Sequence, residues 1–382
     1  MIKHLWSTLL TTAVAASVAF GAGPAAAQTA ATAQTKKLVL GYELPLSGDS
    51  SHYGEVFKNA ADQMLENFKA AGGMPGVDIV IRYEDSKNDA REARNIAQLF
   101  VDDPAVVGVL GDFSSTVSMA VAEIYAKAGM PQLSQTASHP DFLKISKWQF
   151  RNITTQTYEG PFNAAWMREK GHAKVAVVAI QNDWGLSAAE SFADAFKAKG
   201  GSITSIEYFN PGVRDFRSIL TKINRATPDG IYLCMFYEEG ASFLEQRQQL
   251  KVDAPVFGAS SLYNEQLIKL AGPAVNGLML SSNFVPTNPD PKIQAFVTGY
   301  TEKYGQTPSQ FAGQAYDAMG IMLAAIKKVG PSVTRATLRD ALAQTADYPG
   351  VTGVTTFDPQ TREPAKTLAR MVVTDGKYVV IK

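Results

Sequence analysis

Short apolar runs alternate with helical spacing along most of this chain, in two successive series. Leu38-Val39-Leu40-Gly41-Tyr42 reads as a strand, and Ala61, Met64, Leu65 and Phe68 then fall at i, i+3, i+4 and i+7, one face of a helix. Gly72-Gly73 ends that helix, and strands follow at 77–81 and 106–110 around a second helical pattern on Ala93, Ile96, Ala97 and Phe100. The second series opens at Lys174–Ile180, a continuous apolar run of the kind buried on both faces of a parallel sheet. A helix over 186–199 and strands ending at Phe236, near Gly258 and at Leu280 continue it. A twice-repeated β-α-β-α order predicts an α/β protein with two parallel-sheet units. The last hundred residues carry helical patterns at 296–304, 311–329 and 334–343, then a hairpin around Thr374-Asp375-Gly376. They hold too few strands for a third unit, so the chain is expected to recross and complete the first two.

The N-terminus has the three parts of a secretory signal peptide: Met1–Lys3, the apolar run Leu5–Phe20, and Ala25-Ala26-Ala27 before Gln28. The run is short for a membrane span, which needs about 20 apolar residues. Residues 1–27 are therefore expected to be cleaved near Ala27, and the remainder to be periplasmic. The 36 basic and 36 acidic side chains balance. That balance argues against a nucleic-acid surface, which needs a Lys/Arg excess. Cys234, the single cysteine, sits in the apolar run Ile231–Phe236 and reads as a buried thiol. Core burial must then hold the exported fold together without an internal disulfide.

Several chemistries are missing. There is no phosphate loop, no dinucleotide fingerprint, no zinc helix and no nucleophile elbow. His4, His52, His139 and His172 are widely spaced, so neither a metal nor another cofactor is expected. What remains is polar loops just after strands, where open α/β sheets bind ligands. Gly111-Asp112-Phe113-Ser114-Ser115-Thr116 opens a helix, and a helix start presents free N–H groups to an anion. Leu133–Pro140, with Ser134, Thr136, Ala137 and Ser138, offers more hydroxyls, although plain capping and turn chemistry uses the same residues.

The ordered series Pro45-Leu46-Ser47-Gly48 with Tyr53-Gly54, Tyr83-Glu84-Asp85, Ser114-Ser115-Thr116, Ser134–Pro140, Asn182-Asp183-Trp184-Gly185, Val213-Arg214-Asp215-Phe216 and Phe311–Ala318 resembles the leucine/isoleucine/valine-binding family of periplasmic solute-binding proteins. These are the receptors of ABC importers. The resemblance spans the chain beyond the signal peptide. It implies a type I periplasmic binding fold: two doubly wound lobes joined by a three-crossover hinge, lobe one at 36–155 and 284–358, lobe two at 156–283 and 359–382. It also implies a monomer that takes a small carboxylate in the cleft and delivers it to a membrane permease. Ser115, Ser138 and the Thr136 carbonyl would hold the carboxylate end of the ligand, with Ser114 and Ala137 beside them. Tyr53 would line the cleft from lobe one, and Trp184, Phe236, Tyr237 and Ser260 from lobe two.

One departure stands out. Amino-acid-binding members place an acid against the ligand ammonium just after the strand near Phe257, and here that stretch reads Gly258-Ala259-Ser260-Ser261-Leu262. Asp183, Glu238 or Glu239 would have to replace it, or the ligand has no ammonium and is an aromatic carboxylate such as a benzoate or cinnamate derivative. His52 and His139 lie in cleft loops, where a solvated imidazole is the simplest expectation. Two other classes remain open at this point. One is an exported hydrolase with Ser115 or Ser138 as nucleophile, and the other is a sensory receptor of the same fold.

Overall fold

The computed structural model describes residues 35–381; the signal-peptide expectation lies outside them. The first series is β1 (Lys36–Leu44), α1 (Ser51–Ala70), β2 (Val77–Asp85), α2 (Ala90–Asp102), β3 (Val106–Leu110), α3 (Ser115–Lys127), β4 (Gln132–Ser134) and β5 (Gln149–Arg151). The second is α4 (Gln156–Glu169), β6 (Lys174–Ile180), α5 (Asp183–Ala198), β7 (Ser202–Phe209), α6 (Arg217–Arg225), β8 (Gly230–Cys234), α7 (Tyr237–Gln249), β9 (Val256–Gly258), α8 (Glu265–Ala271) and β10 (Met279–Ser282). Then come α9 (Pro291–Tyr304), α10 (Gln310–Val329), α11 (Arg335–Ala343), β11 (Tyr348–Gly350), β12 (Gly353–Thr355), β13 (Ala369–Thr374) and β14 (Lys377–Ile381).

The strands form two sheets. One runs β2-β1-β3-β4-β5, all parallel. The other runs β7-β6-β8-β9-β10 in parallel, and β13 and β14 extend it antiparallel. Both parallel parts share one winding: the first strand of the lobe lies between the second and the third. Loops at the carboxyl ends therefore diverge on either side of that strand and leave a crevice. The fold expected from the sequence, two doubly wound lobes, is what the structure has.

The last hundred residues divide between the lobes. The apolar stripe of α10, including Ala315, Ala318, Met319, Met322 and Ile326, is buried, and α10 packs along α1. β13 and β14 go to the other sheet. The chain thus crosses between lobes after β5, after β10 and before β13. Two details differ from the sequence reading. The strand expected at 277–280 has regular ladder pairing over Met279–Ser282; Gly277, at φ +84°, and Leu278 exchange hydrogen bonds with Val373 just before it, outside the regular register. The short hairpin β11–β12 has too little periodicity to be visible beforehand.

Each lobe fixes its first cleft helix in the same way. After β1 the chain enters α1 at Tyr53-Gly54, and after β6 it enters α5 at Trp184-Gly185. A Cβ on Gly54 would lie 2.0 Å from the Pro45 carbonyl oxygen, and one on Gly185 would lie 2.0 Å from that of Ile180. Only glycine lets the helix start sit this close to the preceding chain, and that closeness aims the neighbouring aromatic.

Candidate functional site

The first wall is built from the loops after β3 and β4. Ser114 N-caps α3, its hydroxyl accepting from the Val117 N–H at 3.3 Å. Ser115 is the first helical residue, so its amide has no intrahelical acceptor. Its Oγ accepts from the His139 N–H at 3.2 Å, which ties the two loops together. Thr136 donates to the Phe113 carbonyl at 2.6 Å, and Ser134 Oγ accepts from the amides of Thr136 and Ala137. Beneath them lies Arg151, fully buried, which donates at 2.9 Å to the carbonyls of both Ala137 and His139. Burial draws its pKa down to about 10, opposed by Glu363 beside it. Among the described residues the amides of Ser115 and Ser138 and the carbonyl of Thr136 have no hydrogen-bond partner.

The loops after β6, β8 and β9 form the facing wall. Asn182 caps α5 through the Gly185 N–H at 2.8 Å, and the next turn presents Trp184, stacked on Phe236 with ring centroids 5.1 Å apart. Phe236 also meets Phe113 of lobe one at 5.2 Å. Ser260 follows β9; its N–H donates to Glu159 Oε1 at 2.6 Å, and its carbonyl accepts from Gln310 at the start of α10. Gln156, at the start of α4, donates through Nε2 to Ser138 Oγ at 2.9 Å and to Glu159 Oε2 at 3.4 Å.

Together these residues line a narrow cleft whose empty space, open solvent included, is about 440 Å³. Every lining group stands at the carboxyl end of a strand or at the start of a helix. Ser114, Ser115, Thr136, Ser138, Trp184, Phe236 and Ser260, all expected from the sequence, line this one cavity. Three others do not. Tyr53 is buried between Phe113, stacked at 4.3 Å, and the His52 ring at 3.8 Å, so it backs the wall instead of forming it. Tyr237 packs against His52 outside the cavity. Ala137 is fully buried and its carbonyl is taken by Arg151.

The lining includes no Asp, Glu, Lys, Arg or His. None of the three acids considered as substitutes reaches it. Glu238 and Glu239 line an adjoining recess, where Glu238 meets His52 Nδ1 at 3.3 Å and Glu239 meets Arg214 at 3.3 Å. Asp183 contributes no surface to the cavity. His139 is not a free loop imidazole: its Nδ1 accepts from the Asp141 amide at 3.1 Å.

Behind the lobe-one loops two further carboxyls are buried. Asp112 is pushed up to about 7 by burial, against hydrogen bonds from Ser86 and nearby amides that pull it down. Glu43 is raised by burial and by the nearness of Asp112, and it accepts from the Tyr125 hydroxyl.

Sequence reasoning missed Gln156, Gln310 and Ile153 as lining residues. They come from the crossover segments and from loops with no recognisable chemistry. Phe113, Asn182, Ser261 and Phe311 stood within the quoted segments without being singled out.

Similarity to known proteins agrees with this architecture. The sequence profile of the periplasmic binding protein family matches residues 37–377. The Leu/Ile/Val-binding protein homolog 1 of Brucella abortus is 25% identical over 332 residues, covering 86% of this chain and 85% of its own. A crystal structure assigned to a branched-chain amino acid ABC transporter of Rhodospirillum rubrum is 53% identical, covers 90% of this chain and all of its own, and superposes with a TM-score of 0.71. A solute-binding protein of R. palustris solved with benzoate shares the fold at 22% identity and a TM-score of 0.84, over 90% of this chain and 95% of its own. With lobes, crossings and cleft in place, and a family match over nearly its whole described length, this chain belongs to the periplasmic binding proteins.

Proposed function

We propose that this protein is the exported receptor of an ABC importer and that it binds a small carboxylate lacking an α-ammonium group, with a flat or branched apolar body. The lobes, taken as 36–155 with 284–358 and 156–283 with 359–382, close on the ligand and present the closed form to a membrane permease. The observation that carries the ligand class is the uncharged lining. Free amides at Ser115 and Ser138 and nearby hydroxyls suit an anion, and Trp184, Phe236, Phe113 and Phe311 suit an apolar ring or branch. An ammonium group would be buried there with no carboxylate on the cavity wall, which is costly. The relatives named for branched-chain amino acids support the carboxylate and the transport role; the benzoate-bound neighbour shows that the same fold takes an acid without an ammonium.

A hydrolase is the weaker alternative. The Ser115 hydroxyl bonds a backbone amide and the Ser138 hydroxyl bonds Gln156, so neither has the imidazole partner that a serine nucleophile needs. Thermal unfolding with benzoates, cinnamates, 4-methylpentanoate and branched-chain amino acids tests the reading. A ligand at a hundredfold excess over Kd adds about 2.7 kcal/mol of stability. Stabilisation by the simple acids is expected; stabilisation by α-amino acids alone would overturn the ligand class.

A further inference from the structure

Arg151 reaches the lobe-one wall from behind, and what it grips decides which way one backbone donor faces. It is fully buried at the end of β5 and contributes no surface to the cavity. Its Nη1 donates at 2.9 Å to the carbonyls of both Ala137 and His139, the residues on either side of Ser138. Glu363 of the third crossover pairs with it at 3.2 Å, so the guanidinium adds no net charge under the loop. What it supplies is direction.

Among the described residues, all but one of the backbone polar groups at residues 137–139 are bonded, as buried backbone requires. The Ala137 N–H donates to Ser134 Oγ and the His139 N–H to Ser115 Oγ. The Ser138 carbonyl accepts from the Gln156 N–H at 3.1 Å, and Arg151 holds the other two carbonyls. The Ser138 N–H is the exception, on a residue that is 1% exposed and lines the cavity. That N–H and the Ala137 carbonyl belong to one planar trans peptide, so they point in opposite directions. Holding the carbonyl onto the buried Arg151 therefore turns the N–H away from the interior, toward the cleft. A hydrogen bond from a cation to that carbonyl also polarises the peptide and strengthens its N–H as a donor. The Ser115 amide, on the other loop, owes its freedom to the start of α3 and not to Arg151.

We infer that Arg151 is a positioning residue for the ligand site: it aims the Ser138 amide at the ligand carboxylate. The inference rests on the carboxylate half of the reading above and is indifferent to the ammonium.

Titrations with benzoate, 4-methylpentanoate and leucine test it, followed by calorimetry and by the amide signals of 15N-serine-labelled protein. When the parent is saturated with whichever acid binds, the Ser115 and Ser138 amide protons should both move downfield. Arg151→Lys keeps a charge beside Glu363 but lacks the planar group that grips two carbonyls on one side and a carboxylate on the other. It should weaken binding roughly tenfold to hundredfold, the worth of a hydrogen bond to a charged group. It should also shrink the Ser138 shift while the Ser115 shift persists. Arg151→Met combined with Glu363→Gln removes the ion pair as a pair and strands no buried charge, so it gives the same readout should the lysine variant not fold. A merely structural role would blunt both amides together. Equal loss of both shifts, or a Ser138 shift and an affinity that survive the substitutions, overturns the inference and leaves the carboxylate reading standing. So does a parent whose Ser138 amide stays in place when the acid binds. No binding by any of the three probes overturns the carboxylate reading and, with it, this inference.

Discussion

Asp112 stands directly behind the loop that would receive the ligand carboxylate, and its own carboxyl is buried beside Glu43. Its pKa is raised from the ordinary 3.8 to about 7. Between those values the folded chain binds this proton more readily than the unfolded chain, so stability from this group falls as pH rises from about 4 to about 7 and is flat above. Asp112→Asn keeps the acceptor for the Phe113 amide and never ionises. It should therefore be more stable than the parent at pH 8 by roughly 1–4 kcal/mol, with no advantage at pH 4, as read by thermal melts across that range. Ser115→Ala should weaken carboxylate binding by roughly 10-fold to 100-fold, the worth of one hydrogen bond to a charged group; unchanged affinity in titration would remove Ser115 from the site. Ser114, Ser115, Thr136 and Ser138 were legible because hydroxyl residues stood just past apolar strands. Arg151 and Gln156 were not, because what makes each important is its contacts with the loops across from it.

At the scale of elements, the helix starts carry the site. Gly185 lets α5 begin against the end of β6, which places Trp184 on Phe236. Gly185→Ala puts a carbon into the Ile180 carbonyl, so the helix must shift; a loss of about 1–3 kcal/mol in urea unfolding is expected, together with weaker ligand binding. Ser114→Ala removes the cap of α3 along with a cavity hydroxyl, and the lost cap should cost about 1 kcal/mol of stability in the same urea unfolding. Periodicity identified these elements well where apolar runs were long, as in β3 and β6, whose bounds match the expected ones. It failed for β11 and β12, three residues each, where no face repeats often enough to register. The glycines themselves were visible as letters, but the close approach that requires them is a property of packing.

At the scale of the whole molecule, the two lobes meet at His52 on α1 and Glu238 on α7. Burial lowers the imidazole to about 4 and raises the carboxyl to about 7, the latter helped by Glu239 and opposed by Arg214. Asp49, Tyr53 and Tyr237 also face this contact. Bringing the lobes together thus discourages a proton on His52 and encourages one on Glu238, and the two tendencies offset near pH 5–6. Glu238→Gln leaves the histidine term alone: closed lobes then hold fewer protons than separated ones, so ligand affinity should drop about tenfold from pH 7 to pH 5, where the parent changes little. That the lobes share the chain was legible in the shortage of strands in the last hundred residues, but which sheet each segment joins was implied only by the family resemblance, since no local pattern there says so. The sharing also sets an order of events during biosynthesis. Asn67 on α1 is bonded to Tyr316 on α10 across 249 residues of chain. The apolar side of α1 therefore waits, uncovered, until most of the polypeptide has been made, and the second sheet waits for β13 and β14. Long-range closure of this kind folds slowly. For the exported receptor proposed above that delay would favour threading across a membrane, because neither half can become a finished globule before its tail arrives.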